Sequence, residues 1–324
     1  MKKQRVFHRS AGILLPIASL PSPYGIGTFG KTAFQFIDFL SKAGQKYWQI
    51  LPLGPISYGD SPYQSFSSFA GNPYFIDLDI LKEEGLLTQQ EIVEKNWGED
   101  PEKIDYAAIF KNRFLLLRLA YQRSHHHDMQ DYCIFCRENE RWLSEYALYM
   151  ALKNKFCGKE WLKWPEEFRV RQTDALTLAT KQLQQDIDFW KFCQFKFFKQ
   201  WEKLRDYAHK KGIQIIGDIP IYTALDSADV WSEPEVFYLG KDLLPIEVAG
   251  CPPDAFSETG QLWGNPLYRW NYQRETDFSW WKRRLRATAK WYDVLRIDHF
   301  RGLESYYAIP FGQKTAENGV WRKG

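Results

Sequence analysis

Apolar positions along the chain repeat one arrangement three times. Residues 33–43 carry Phe36, Ile37 and Leu40 at helical spacing and end in Lys42-Ala43-Gly44, ahead of the apolar run Tyr47-Trp48-Gln49-Ile50-Leu51. Residues 186–211 place Phe189, Cys193, Phe197, Trp201, Leu204 and Ala208 three or four apart, end in Lys210-Lys211-Gly212 and lead into Ile213-Gln214-Ile215-Ile216. Residues 278–291, with Asp277 as N-cap and Phe278, Trp281, Leu285 and Tyr292 turned inward, lead into Asp293-Val294-Leu295-Arg296-Ile297. Such steps predict helices with one buried face, and a glycine behind lysines is a helix stop. Short, almost wholly apolar runs predict strands of a parallel sheet covered by helices. With Ala11-Gly12-Ile13-Leu14-Leu15 as the first strand, four strands result, the last three each entered from a helix. That is an α/β pattern, compatible with a (β/α)8 barrel or an open doubly wound sheet. The dinucleotide-binding version is disfavoured, because Gly25, Gly27 and Gly30 are read as spaced differently from the Gly-rich turn that would follow the first strand and open a helix.

The stretch between strands two and three is far longer than one crossover needs. Trp142, Tyr146 and Met150 step by four, as do Leu143, Ala147 and Ala151, so residues 82–185 are read as an inserted, mostly helical subdomain. Residues 1–81 then carry strands one and two, and 186–324 carry strands three and four. Within the last segment, 219–275 holds Pro220, Pro234, Pro245, Pro252, Pro253 and Pro266 and is read as a long ordered loop.

Composition narrows the chemistry. The 324 residues are 44% hydrophobic and 26% charged, as in a water-soluble globular protein. Forty-three basic against 40 acidic residues leave +3, with no basic block, which argues against nucleic acid or an anionic membrane as partner. No leader-type apolar segment follows the N-terminus, and five irregularly spaced cysteines argue against a disulfide framework, so a reduced cytoplasmic chain is expected. Aromatic residues make up 17%, including 14 Trp, which suits a groove that stacks on flat ligands such as sugar rings.

Polar residues cluster where the strands run out. Strand three ends Ile216-Gly217-Asp218-Ile219-Pro220, and strand four ends Arg296-Ile297-Asp298-His299-Phe300-Arg301-Gly302. Arg296 and Asp298, two apart in a strand, point to one side. A cation there favours an ionised carboxylate, suited to act as a nucleophile or to stabilise a cationic transition state. A structural ion pair is the competing reading. Asp218 at the equivalent place on the adjacent strand tilts the balance towards a site for glycoside chemistry.

At these residues the sequence resembles the amylomaltases, or 4-α-glucanotransferases (disproportionating enzymes), of the α-amylase clan. The matching segments are Gly59-Asp60-Ser61-Pro62-Tyr63-Gln64-Ser65, Phe69-Ala70-Gly71-Asn72-Pro73-Tyr74, Gly217-Asp218-Ile219-Pro220-Ile221, Gln261-Leu262-Trp263-Gly264-Asn265-Pro266 and Arg296 through Gly302, in family order. The resemblance implies the first half of a (β/α)8 TIM-type barrel, strands one to four. It also implies an enzyme that cleaves an α-1,4-glucan and passes the glycosyl group to another glucan. It makes Asp298 the nucleophile and Arg296 the residue that holds it ionised. Asp218, His299, Ser61 and Tyr63 become donor-sugar contacts, and Gln261 and Trp263 parts of a mobile loop over the cleft. Malto-oligosaccharides or α-1,4-glucans are the implied donor and acceptor, and no metal or organic cofactor is implied. A covering loop at 245–266 would keep water from the glycosyl-enzyme, so that transfer prevails over hydrolysis.

In the family the acid/base Glu follows on a later strand, so the chain is expected to be the N-terminal portion of a longer protein and inactive alone. Glu304 lies too close to Asp298 to substitute. Exposed parallel edges would also make it poorly soluble. The rival readings are a retaining α-glucan hydrolase of the same clan and a non-catalytic α-glucan-binding fragment. His125-His126-His127-Asp128 with Cys133 and Cys136 lacks the spacing of a zinc finger and is read as structural. Lys191, Lys196, Lys199 and Lys203 are read as a solvated helix face.

Overall fold

The computed structural model describes residues 9–57, 59–100 and 102–324. β1 (Gly12–Leu14) leads through a long connection with one 3-10 turn (Ile17–Ser19) to α1 (Lys31–Lys42), which buries Ala33, Ile37 and Leu40. Gly44, at φ +71°, closes its last turn and hands the chain to β2 (Tyr47–Gln49), parallel to β1. Gly25, Gly27 and Gly30 do carry the spacing of a dinucleotide fingerprint and stand directly before α1, but packing explains them. A Cβ at Gly27 would lie 1.9 Å from the Ile17 carbonyl, and one at Gly30 1.9 Å from the Asp77 carboxylate.

The next region is helical: α2 (Leu78–Glu83), α3 (Gln89–Val93), α4 (Tyr106–Arg123), α5 (Gln130–Lys155), α6 (Glu166–Arg169) and α7 (Thr173–Gln182). α8 (Gln184–Lys210) follows, its buried Phe197 and Trp201 packed on Phe29. Lys196 departs from the expected solvated face. It is buried, paired with Glu84 at 2.7 Å and set beside the rings of Phe192 and Phe195. Gly212, at φ +75°, ends α8, and β3 (Gln214–Pro220) lies parallel on the far side of β2.

Residues 219–275 are not a loop. They contain α9 (Ala228–Ser232), β4 (Glu247–Cys251), β5 (Gln261–Pro266) and α10 (Trp270–Glu275). Gly250 in β4 and Gly264 and Pro266 in β5 disguise the two strands, because neither residue type favours a sheet. α11 (Ser279–Ala289) then feeds β6 (Val294–Asp298), parallel to β3. Asp277 is not the N-cap of α11. Phe278 holds that position, and both residues are left-handed, at φ +52° and +51°. This start turns Trp280, Trp281, Arg284 and Thr288 inward and leaves Phe278 and Leu285 exposed, against expectation, while Tyr292 is buried as expected. The buried Arg284 donates to the carbonyls of Pro220 and Ile221, a role no apolar pattern reveals.

The first sheet has the order β1-β2-β3-β6, all parallel. β7 (Ser305–Pro310) and β8 (Val320–Lys323) join β4 and β5 in a second, antiparallel sheet of order β5-β4-β7-β8. No helix of the described residues is long and apolar enough to cross a membrane.

Candidate active site

In the register of β3 and β6, Asp218 lies opposite Arg296 and Pro220 opposite Asp298. Residues side by side in register, and residues two apart along a strand, share a face. Asp218, Arg296 and Asp298 are therefore brought together at the C-terminal ends of neighbouring parallel strands. Arg296 donates from Nη1 to Asp218 Oδ2 at 2.6 Å and from Nη2 to Asp298 Oδ1 at 2.5 Å. Tyr63 reaches over from the loop after β2 and donates its hydroxyl to the same Asp218 Oδ2, at 2.8 Å. The Asp218 side chain is 1% exposed and that of Asp298 is 39% exposed, so one is the floor and the other faces the opening.

The electrostatics follow from these bonds. The bond to Asp218 raises the Arg296 pKa above the ordinary arginine value; partial burial opposes the rise and the Asp298 carboxylate adds to it. The Tyr63 hydroxyl is pushed up to about 12, first by burial and then by Asp218, so it stays a donor. Asp218 Oδ1 is buried and without a partner among the described residues.

His299 follows Asp298 in the left-handed conformation, at φ +54°, which turns its ring back towards the site. The ring stands edge-on to Trp263, 5.0 Å between centroids, and 6.4 Å from Tyr222. Burial lowers its pKa against the pull of Asp298, which favours a neutral imidazole, and its buried Nε2 has no partner among the described residues. Trp263 and Gln261, expected on a loop, lie on β5. The indole N–H of Trp263 donates to Gln261 Oε1 at 3.0 Å, and its carbonyl accepts from Gln64 Nε2 at 3.3 Å.

Of the expected residues, Tyr63, Asp218, Arg296 and Asp298 form one hydrogen-bonded chain, and Trp263 and His299 one aromatic contact. Gln261 is held at the indole edge. Ser61 accepts from the Tyr63 backbone N–H at 3.3 Å and so shapes the turn that presents Tyr63. Sequence reasoning missed Tyr222, buried beneath Trp263 and His299, and the Gln64–Asn265 amide pair, 3.0 Å apart. Gln64 and Asn265 lie within the matching segments and Tyr222 directly after one, but no local signal pairs amides 201 positions apart. The concavity lined by Tyr63, Asp218 and Tyr222 is small, and a larger groove lined by Phe135, Trp142, Phe198 and Trp291 holds none of the expected residues.

The family model described as 4-alpha-glucanotransferase matches residues 15–324. The 4-alpha-glucanotransferase of Clostridium butyricum is 55% identical over 309 residues, covering 95% of this chain and 63% of that protein. That of Thermus thermophilus is 45% identical, covering 97% and 63%. The structure of the amylomaltase from Streptococcus agalactiae in complex with acarbose superposes with a TM-score of 0.94 at 43% identity, over 98% of this chain and 64% of that one. The amylomaltase from Corynebacterium glutamicum, 18% identical with a TM-score of 0.76 over 97% of this chain and 44% of that one, shares the fold. The chain spans about 63% of the length of the curated relatives it matches.

Proposed function

Because the chain belongs to the 4-alpha-glucanotransferase family, we propose that Asp298 is the nucleophile in a retaining transfer of an α-1,4-glucan segment to another glucan or to glucose. The reading is carried by the single guanidinium of Arg296 shared between Asp298 and the buried Asp218. In this reading the β1-β2-β3-β6 sheet is the first half of a (β/α)8 barrel, and its strand ends form the donor side of the cleft.

In the first displacement an Asp298 oxygen bonds to the anomeric carbon as the bond to the leaving glucan oxygen breaks. In the second, an acceptor hydroxyl attacks that carbon, gives up its proton and frees Asp298; two inversions restore the α configuration. Arg296 occupies Oδ1 of Asp298, and Oδ2 takes no hydrogen bond from the described residues, so Oδ2 attacks. Asp218 Oδ1 and His299 Nε2 are buried groups that sugar hydroxyls would satisfy. Tyr63 and Trp263 offer flat faces to sugar rings, and Trp263 on β5, with Gln261, covers the glycosyl-enzyme against water.

A glucan oxygen must be protonated to leave, and we assign that acid/base role to no residue of 1–324. Glu304 is exposed and follows a tight turn after β6. Fluoride leaves with little such help, which separates the two parts of the proposal. We expect the 324-residue chain to release fluoride from α-maltosyl fluoride, Asp298→Asn to lower that rate by at least ~10³-fold, and neither to release glucose from maltotriose. Equal fluoride release by the variant would remove Asp298 from its role, and glucose from maltotriose would overturn the acid assignment. Where turnover occurs, comparing free glucose with new reducing ends distinguishes transfer from hydrolysis.

A further inference from the structure

The helical insertion and α8 bring together side chains that the sugar chemistry does not use. Asp188, near the start of α8, is buried, and its Oδ1 accepts from the Tyr132 hydroxyl at 2.8 Å. Its Oδ2 accepts from the Tyr121 hydroxyl at 3.0 Å and has two ring nitrogens within hydrogen-bond distance, His127 Nε2 at 2.8 Å and His126 Nε2 at 3.1 Å. A carboxylate oxygen has two in-plane lone pairs, so three hydrogens would oversubscribe it, and a ring with its proton on Nδ1 instead turns a bare Nε2 lone pair on it. Both imidazoles present the same nitrogen to the same oxygen, and the three atoms lie within 4.8 Å of one another.

We propose that His126 Nε2, His127 Nε2 and Asp188 Oδ2 bind a late first-row divalent cation, with Zn²⁺ the best fit. One cation would replace the two direct ring contacts at Oδ2 and leave that oxygen with Tyr121 and the metal. Two imidazoles and one carboxylate suit zinc, nickel or copper and not the all-oxygen shells of calcium or magnesium. The supports that orient metal ligands are present. Ser124 Oγ lies 2.6 Å from His126 Nδ1, and with the proton on Nδ1 the Nε2 lone pair is free for the metal. Tyr132 holds the second carboxylate oxygen, while Tyr121, Tyr132 and Phe192 wall in the His126 ring. The His127 side chain is 64% exposed, which gives the ion an entry path and a water-facing position. The ligands come from the turn between α4 and α5 and from α8, so binding would tie the insertion to α8 and stabilise it. From sequence these histidines, weighed with Cys133 and Cys136, are read as structural; the group the structure sets beside them is Asp188.

The test uses the full 324-residue chain, stripped with EDTA, dialysed and titrated with ZnCl₂ by calorimetry and with CoCl₂ by visible absorption. We expect one Zn²⁺ per chain, a rise in Tm at saturation and cobalt d–d bands. His127→Ala removes an exposed ring, so the fold survives; it should weaken zinc binding at least ~10-fold and abolish both the Tm rise and the bands. His209→Ala removes the ring paired with Asp293 at 2.9 Å and should leave binding unchanged, which excludes a general surface effect. Equal zinc affinity in the parent and His127→Ala, or no binding by a folded parent chain, would overturn the site.

Discussion

Arg296 sets what the candidate site can do, because its planar fork reaches two carboxylates at once. A lysine supplies the charge as a single point. Arg296→Lys should therefore keep the chain folded while lowering fluoride release from α-maltosyl fluoride roughly 10²-fold, the penalty of a misplaced nucleophile. Asp229 offers a separate residue-level test. It is buried, accepts from the Ser68 backbone N–H at 2.8 Å, and burial pushes its pKa up from 3.8 to about 6. The folded chain thus holds this proton more tightly than the unfolded chain. Its contribution is full below pH ~4, falls as pH rises to about 6, and is flat above. Asp229→Asn should raise urea-unfolding stability by about 1–3 kcal/mol above pH 6 and change little below pH 4. Equal effects at both pH values would contradict this. At this scale Asp218, Arg296 and Asp298 were legible because polar residues at the ends of apolar runs stand out. Tyr222 and the Gln64–Asn265 pair were not, since the two amides meet across 201 positions.

Elements were readable where a local stop signal ended them. Gly44 and Gly212 marked two helix ends and so the strands that follow. At the start of α11 the left-handed Asp277 and Phe278 override the expected cap, so Phe278 and Leu285 are exposed while Trp281 and Tyr292 are buried as the spacing predicts. β4, β5, β7 and β8 were not readable. β4 pairs with β7, far along the chain, and is secured by the Arg322 fork on Glu247 across the sheet at 2.7 and 2.5 Å, a long-range pairing with no local pattern. Gly217 shows how tightly β3 is placed. A Cβ there would lie 2.0 Å from the buried Tyr292 ring, directly beside Asp218. Gly217→Ala should lower urea-unfolding stability by about 1–3 kcal/mol and slow fluoride release, since the strand must shift. An unchanged unfolding midpoint would show that Tyr292 yields freely.

For the whole molecule, the helix-then-strand repetition predicted four parallel strands, and these form the sheet of order β1-β2-β3-β6. Its outer strands β1 and β6 lack the double cover that parallel sheets usually have. Leu14 on β1 is 54% exposed, and Phe300, just past β6, is 65% exposed. Such edges template association, so light scattering should show apparent mass rising with concentration. A monodisperse monomer that melts cooperatively would contradict that. The same sheet carries the central claim, that its fourth strand ends in a nucleophile. The most direct measurement is intact-protein and peptide mass spectrometry after incubation with 5-fluoro-α-glucosyl fluoride, a sugar that reacts in the first displacement and stalls before the second. The account predicts one added fluoroglucosyl group, located on Asp298 and missing from Asp298→Asn. A label on any other side chain, or the same label on the variant, would contradict it.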